Sequence, residues 1–434
     1  MIDEYFEKDK YYKAKYGKRT FLLYQVGSFF EVYGIKQNVD SMENIEAYSE
    51  ICGLSVASKH ICIGGDSNNQ EANIVMAGFR DYILDKYIEK IQPHGYTVVV
   101  YVQEDKNGTI VRYENGIYSP GTTFVENITI LSNNISCLWI QKTKSTSICG
   151  EKYIFGLSNI NIFNGKSNLC EYNEVYYHNP TSYDKIEKFL NVYSPIETVI
   201  IHNLEEGLIT SIIDYLQLQC KKFYMIDLNN SENELSVQAN NCESQVYQTE
   251  IIKQHFPGMN YEVFKYSIED KPICLQSFCF LLNFIRQHNV SLIDKISEPV
   301  IEQMNDILVC ANHSLKQLNI IGDNVNYFDK DGKINGMLPI LNKCITKIGK
   351  RGMNDIILNP ICNIKQLQTQ YNNIEHIMDK NYTFDDKLKL IKDIEKIMTK
   401  FKLKKGTPCD IYYIYEASKV INEIMEMFNK DKKS

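Results

Sequence analysis

The sequence predicts two successive α/β units followed by a mainly α-helical region. Three observations indicate this order: an early continuous apolar strand, alternating strand and helix patterns in the middle, and helical apolar spacing towards the end. The 434 residues are too many for one ordinary core, since domains usually hold about 100–200 residues. We place the three regions at 1–128, 129–255 and 256–434.

The first region is predicted to be a small α/β domain. The apolar run "RTFLLYQV" ends at Gly27 and predicts a buried strand. The segment "RDYILDKYIEKIQ" has apolar residues at helical spacing, and "YTVVVYVQ" is rich in β-branched residues typical of strands. Ser119-Pro120-Gly121 marks a turn near the end of the region.

The second region is predicted to be another α/β domain, and an RNase H-like fold is one interpretation of it. Asn164-Gly165 predicts a two-residue hairpin between two strands. The polar stretch 229–245 is interpreted as a loop or linker. An RNase H-like nuclease needs clustered carboxylates to hold metal ions, and the candidate first strand, "YIFGLSNIN", carries none. The sequence therefore argues against nuclease activity.

The third region is predicted to be mainly helical. The segment "LNKCITKIGKRGMNDIIL" places Leu341, Ile345 and Ile348 on one helical face. Asn363 is expected to cap the next helix. The apolar stripe of that helix is formed by Leu367, Tyr371, Ile374 and Met378.

Composition and charge limit the possible functions. Hydrophobic residues make up 44% and charged residues 23%, which is typical of a globular protein. No apolar run approaches the roughly 18 residues of a membrane span, so we expect a soluble intracellular protein. The net charge is −7, with 13 basic and 18 acidic residues over 1–128 but 18 basic and 12 acidic over 341–434. No phosphate-binding loop and no histidine pair with metal-ligand spacing is found.

The stretch "LYQVGSFFEVYG", residues 23–34, contains the candidate binding residues. A Phe exposed after the turn at Gly27 could unstack a base step if it entered a DNA minor groove. Phosphates would repel the neighbouring Glu31, so its carboxylate would help binding only by hydrogen-bonding a base edge. From spacing alone, core packing of both Phe29 and Phe30 is the alternative, since aromatic side chains are usually buried.

The chain resembles the MutS family of DNA mismatch-recognition proteins. "QVGSFFEVYG" resembles the family's Phe-x-Glu motif, "VMAGF" its M-A-G-x-P segment, and "VRYENGIYSPGTTF" its R-x-V-T-P-G-T segment. Further on, "LNKCITKIGKRGMNDIILNPICNIKQLQTQYNNIEHIM" resembles a core segment of the family, T-x-x-G-x-R-x-L followed by P-L-x-x-I. The resemblance covers nearly the whole chain in order. The first motif is most similar to the MutS branch of giant viruses and octocoral mitochondria.

The resemblance implies a role for each candidate residue. Phe29 takes the wedge position, Glu31 the base-contacting position, and Phe30 is expected to face the core. Lys59 falls near a basic family position that touches backbone phosphate. Phe79-Arg80 stands where the family has an Ile-Pro step. The three regions then correspond to a mismatch-recognition domain, an RNase H-like connector and part of the helical lever and core domain.

The resemblance also implies partners. The family continues into a DNA clamp and a DNA-dependent ATPase, and we expect this chain to lack both. ATP and Mg are therefore implied only for that part of the family, and we expect no cofactor and no catalytic site here. Expected partners are mismatched duplex DNA and a second chain or C-terminal part with the clamp and ATPase, at a site of DNA replication or repair such as a viral factory or organelle. The alternative is a non-catalytic interaction module that no longer reads mismatches.

Overall fold

The computed structural model describes residues 1–59, 74–106, 108–122, 131–144, 151–175, 180–230, 232–302, 308, 310, 313–322, 336–380 and 382–431. Within these residues a mixed α/β part precedes a mainly helical part, which confirms the coarse prediction from the sequence. The boundary predicted at residue 128 lies outside the described residues.

The first unit is a mixed sheet with helices on both faces. One helix packs on one face through its tyrosines, and two helices pack on the other. The strand order is β3-β4-β2-β1-β5-β6, in which only the β1–β5 pair is parallel. The elements are α1 (Ile2–Tyr16), β1 (Thr20–Val26), β2 (Phe29–Ile35), α2 (Val39–Cys52), β3 (Ala57–Lys59), β4 (Ile74–Arg80), α3 (Leu84–Ile91), β5 (Thr97–Lys106) and β6 (Thr109–Tyr118).

The hairpin of β1 and β2 places the start of β2 at one end of this sheet. Val26 pairs with Phe29, so the turn consists of Gly27 and Ser28. Gly27 has a φ of +61°, in the left-handed region that favours a residue without Cβ. The turn predicted after the first strand is therefore confirmed.

The second unit is a sheet with strand order β11-β10-β7-β8-β9-β12. Strands β7, β8 and β9 are antiparallel neighbours, and β10 and β11 run parallel to β7. The elements are β7 (Asn134–Lys144), β8 (Glu151–Asn161), β9 (Ser167–Val175), α4 (Asp184–Tyr193), β10 (Glu197–His202), α5 (Glu206–Leu216), β11 (Lys222–Asp227), α6 (Glu234–Asn241), α7 (Gln245–His255), α8 (Tyr261–Ile268), α9 (Pro272–His288), α10 (Val290–Ile293) and β12 (Val300–Ile301).

One local prediction for this unit is wrong, and another is right except for the length of a loop. The loop interpretation of 229–245 fails because α6 forms there, capped by Asn233, whose Oδ1 accepts from the backbone N–H of Leu235 at 2.9 Å. Leu235 is buried, so tertiary packing overrides the polar composition. The hairpin predicted around Asn164-Gly165 does form between β8 and β9, but its loop is longer than two residues, because residues 162–166 separate the strands. Gly165 lies inside this longer loop, with a φ of +74°.

Helix α9 connects the two α/β units through one apolar core. It packs on the second sheet, and its Phe278, Phe280 and Phe284 are buried. The same core includes the tyrosines of α1, and the ring of Tyr16 lies 5.2 Å from that of His288 at the end of α9. The two sheets are therefore joined by shared burial as well as by the chain.

The C-terminal region is helical, as expected, but one predicted helix begins later. Thr346 caps α13, since its Oγ1 accepts from the backbone N–H of Gly349 at 3.0 Å, so Leu341 and Ile345 lie outside that helix. The cap predicted at Asn363 is confirmed. The elements are α11 (Ser314–Gln317), α12 (Leu338–Leu341), α13 (Lys347–Leu358), α14 (Ile364–Asp379), α15 (Asp385–Leu390), α16 (Ile394–Lys402) and α17 (Pro408–Asp431).

The apolar stripes of α14 and α17 are exposed. On α14, Tyr371, Ile374 and Met378 point to solvent. On α17, Ile411 and Tyr415 are exposed in the same way. No helix in the described part of the chain is both long and apolar enough to cross a membrane.

Candidate nucleic-acid interface

Phe29 projects from the tip of the β1–β2 hairpin. It is the first residue of β2 and is 43% exposed, whereas Phe30 is 3% exposed and its ring lies 6.0 Å from that of Phe79. Successive side chains in a strand point to opposite faces, so the two phenylalanines diverge. The expectation that Phe30 faces the core is confirmed. Phe29 stands outside the described apolar cores, at a position where a ligand can cover it.

Glu31 lies on the same face of β2 as Phe29, but its side chain is largely enclosed. Its Oε2 accepts hydrogen bonds from the hydroxyl of Tyr33 and from Nζ of Lys59, the latter at 2.8 Å. Burial and the bond to Glu31 raise the pKa of Tyr33, so the phenol stays protonated and donates. Oε1 makes no hydrogen bond with a described residue. Oε2 of Glu31 therefore already accepts two hydrogen bonds, whereas Oε1 can still accept one from a ligand.

Lys59, at the end of β3, is the counter-ion of Glu31. Besides its contact with the carboxylate, its Nζ lies 3.1 Å from the hydroxyl of Tyr33 and 4.9 Å from the centroid of that ring. The sequence singled out both residues separately and did not predict their pairing. The side chain reaches across β4 to β2, and no local pattern in the sequence reports a contact over 28 positions.

Gly78 makes room for this arrangement. It pairs with Glu31 in the ladder between β4 and β2. A Cβ at this position would lie 2.7 Å from the carbonyl oxygen of Phe30 and 3.2 Å from Cγ of Glu31. A side chain there would push against the backbone of β2, so the glycine of "VMAGF" has a steric role beside the site.

Polar side chains of β1, β5 and β6 form hydrogen bonds that hold the turn before Phe29. The carbonyl of Gly27 accepts from Nε2 of Gln103 at 3.2 Å and from Nε2 of Gln25 at 3.3 Å. Nε of Arg112 donates to the carbonyl of Gln25 at 2.9 Å. Sequence reasoning missed these residues because they meet only once the sheet has formed.

These features bring a projecting aromatic side chain, a hydrogen-bond acceptor on the same face and a cation together on the first sheet. Within the described residues no group of three or more His, Cys, Asp or Glu side chains is arranged to hold a metal ion.

The comparisons with known proteins identify the family. The family model for MutS domain I matches residues 7–127, and the model for MutS domain III matches residues 313–434. The chain belongs to the MutS family. It is similar to a putative DNA mismatch repair protein, a MutS homologue of Acanthamoeba polyphaga mimivirus, with 26% identity over 91% of this chain and 36% of the relative.

Bacterial relatives match a similar share. The DNA mismatch repair protein MutS of Caldanaerobacter subterraneus subsp. tengcongensis is 23% identical over 99% of this chain and 44% of its own length. That of Clostridioides difficile is 23% identical over 99% of this chain and 40% of its own length. The chain thus spans less than half the length of each of these curated relatives.

Proposed function

We propose that this chain recognises mismatched or damaged base pairs in duplex DNA, as the recognition part of a DNA mismatch repair protein. Phe29 acts as the wedge that enters the duplex. The exposed ring on a hairpin whose turn is held by side-chain hydrogen bonds is the observation that carries this proposal. The names of the mimivirus and bacterial relatives support the assignment to mismatch repair.

The wedge discriminates through the cost of deforming DNA. Unstacking a base step costs a few kcal/mol, and less where the base is mismatched or damaged. Phe29 would gain the same contact at every site, so the net free energy of binding follows the ease of deformation. If the hairpin keeps its shape on binding, the DNA must deform instead, so binding discriminates more strongly between mismatched and matched sites than it would with a mobile loop.

Glu31 and Lys59 work as a pair in this proposal. Glu31 uses Oε1 to accept from a base edge, or to donate if protonated. Lys59 neutralises a carboxylate that phosphates would otherwise repel. The ammonium has three donors, of which two are directed at Glu31 and Tyr33, so one is left for a backbone phosphate.

The remaining regions would connect this tip to the rest of a MutS protein. The strand order β11-β10-β7-β8-β9, with β10 and β11 parallel to β7, supports an RNase H-like connector. We propose that a polypeptide with the clamp and the ATPase works with this chain, either as a second chain or as a further part of one protein. ATP and Mg would act on that polypeptide. The viral relative is consistent with work in a viral factory.

A second candidate function is favoured by the exposed helix faces. Tyr371 and Ile374 on α14, with Ile411 and Tyr415 on α17, offer apolar surface that suits protein contact. In that case the chain would be a non-catalytic interaction module that no longer reads mismatches. Binding of its partner would then be indifferent to Phe29→Ala.

A competition titration tests the proposal. Labelled duplex with one G·T mismatch is bound at low, stated salt and competed with the matched duplex. We expect preference for the mismatch, weak overall binding because the first region is acidic, and loss of the preference in Phe29→Ala. Tyr266→Ala is the matched control, since Tyr266 is an exposed aromatic on α8, outside the first sheet. Unchanged preference in Phe29→Ala would overturn the wedge assignment.

A further inference from the structure

The sheet register places one exposed cation directly beside Phe29. In the antiparallel pair of β2 and β4, Phe29 is opposite Arg80, and directly opposite residues share a face of the sheet. The ladder continues past them, because the backbone N–H of Asp81 donates to the carbonyl of Ser28 at 3.0 Å. The guanidinium carbon of Arg80 lies 5.9 Å from the centroid of the Phe29 ring, within the range of a cation–π contact.

The backbone of Arg80 is fixed in the sheet, but its guanidinium makes no ion pair with a described residue. The residue is exposed, and it forms no salt bridge with any residue in the described ranges. Arg112, by contrast, donates a hydrogen bond to the carbonyl of Gln25 beside the turn. The first region carries more acidic than basic residues. The guanidinium of Arg80 therefore places a positive charge beside Phe29 in a region whose net charge is negative.

We propose that Arg80 is a second DNA-contacting residue, which binds a backbone phosphate flanking the site where Phe29 enters. This inference rests on the proposed function. The planar guanidinium can bind phosphate oxygens in bidentate fashion while it stacks on an aromatic face. Phe29 and Arg80 then form one unit, in which the ring opens the base step and the cation holds the displaced backbone.

The placement makes the contact dependent on insertion. Arg80 is level with Phe29 on the neighbouring strand, so it approaches the phosphates only when the ring has entered the duplex. A matched duplex that resists the wedge keeps this end of the sheet at a distance. Arg80 therefore adds affinity to the mismatched complex and very little to the matched one, which makes it a specificity-determining residue.

The test uses the full chain in the competition titration, with four variants. Arg80→Ala removes the cation, and Arg80→Lys keeps the charge but loses the planar fork. Lys18→Ala is the matched charge control, since Lys18 is 91% exposed just before β1, at the opposite end of the sheet from the turn. Phe29→Ala reports the wedge. Thermal unfolding checks that each variant is folded.

We expect Arg80→Ala to bind the mismatched duplex about tenfold more weakly and matched DNA almost unchanged. The slope of log affinity against log salt for the mismatched duplex should fall by about 1, the value for one lost phosphate contact. Arg80→Lys should lie between wild type and Arg80→Ala, and Lys18→Ala should leave the ratio of the two affinities unchanged.

Three outcomes overturn the inference, and they can be told apart. If Phe29→Ala abolishes the preference and Arg80→Ala does not alter it, Arg80 has no role and the wedge stands. If Arg80→Ala weakens both duplexes equally, or Lys18→Ala has the same effect, the cation acts only as general charge. If the wild-type chain shows no preference, the proposed function fails and the inference fails with it.

Discussion

The two α/β units and the C-terminal helical region differ in how completely they bury their own apolar surface. The first two units share one core, in which α1 and α9 pack between the sheets. A polar seam reinforces it: Oε2 of Glu197 accepts from Oγ of Ser119 at 2.6 Å and from the backbone N–H of Gly121 at 2.8 Å. The two α/β units are therefore stabilised by apolar and polar contacts among their own residues.

The helical region has few such internal contacts among its described residues. Its firmest connection is Arg351, which donates to both carboxylate oxygens of Asp393 at 2.7 Å, to Glu395 at 2.7 Å and to the carbonyl of Leu131 at 3.2 Å. The stripes of α14 and α17 remain exposed. The comparison teaches that the β1–β2 hairpin stands on a well-packed core, while the helical region leaves part of its apolar surface uncovered.

The largest expected difference between the two regions is in the cost of removing an aromatic ring. Phe278→Ala opens a cavity in the shared core, so it should lower the free energy of unfolding by about 3–5 kcal/mol. Tyr371→Ala removes a ring of similar size from an exposed face and should change it by less than about 0.5 kcal/mol. Urea unfolding measures both. Similar losses in the two variants would contradict the comparison.

The buried His288 should give the shared core a dependence on acid. Burial lowers its pKa to about 3, and its Nε2 has no hydrogen-bond partner among the described groups. Between pH 3 and about 6.5 the unfolded chain binds one more proton, so stability falls as the pH is lowered, by about 1.4 kcal/mol per unit. Because the unfolded histidine is already half protonated at pH 6.5, urea unfolding at pH 6.5 and 4.5 should show about 2.3 kcal/mol less loss of stability in His288→Phe than in wild type.

His288→Phe is compared with wild type at each pH, because carboxylates with lowered pKa values add to the acid sensitivity of both proteins. Asp393, beside Arg351, is one of them. Their contribution cancels in the difference between the two proteins. Parallel pH profiles would show that His288 titrates normally in the folded chain and is not enclosed as described.

Arg351 tests how firmly the helical region is attached. Arg351→Met leaves the carboxylate of Asp393 without its main cation, while Glu395 keeps Lys166 at 3.0 Å, and the loss should cost about 2 kcal/mol locally. Hydrogen exchange should become faster in α13 and α16 and stay unchanged in the β1–β2 hairpin. Lys389→Met is the matched control, since its pair with Asp386 is exposed and contributes little. Faster exchange throughout the chain would show that the regions unfold together.

Local signals in the sequence predicted the local parts of the structure. Gly27 marked the turn, and Asn363 marked a helix start, because both act within a few residues. The pairing of Glu31 with Lys59 could not be predicted, since it depends on the order of three strands. Strand β7 was not identified, although it lies inside the second sheet, and α6 was hidden by polar residues on its exposed side.

The smallest expected effect is that of Glu31→Ala on DNA affinity. It tests whether the carboxylate contacts a base or only holds the neighbouring side chains in place. Glu31→Ala removes a carboxylate that phosphates repel and leaves Lys59 without its counter-ion. Matched DNA should therefore bind about threefold more tightly at low salt, while preference for the mismatch falls because the base-edge acceptor is lost. Glu43→Ala, at an exposed position on α2, controls for the change in net charge. Weaker binding of matched DNA by Glu31→Ala would mean that the carboxylate organises the tip instead of reading the base.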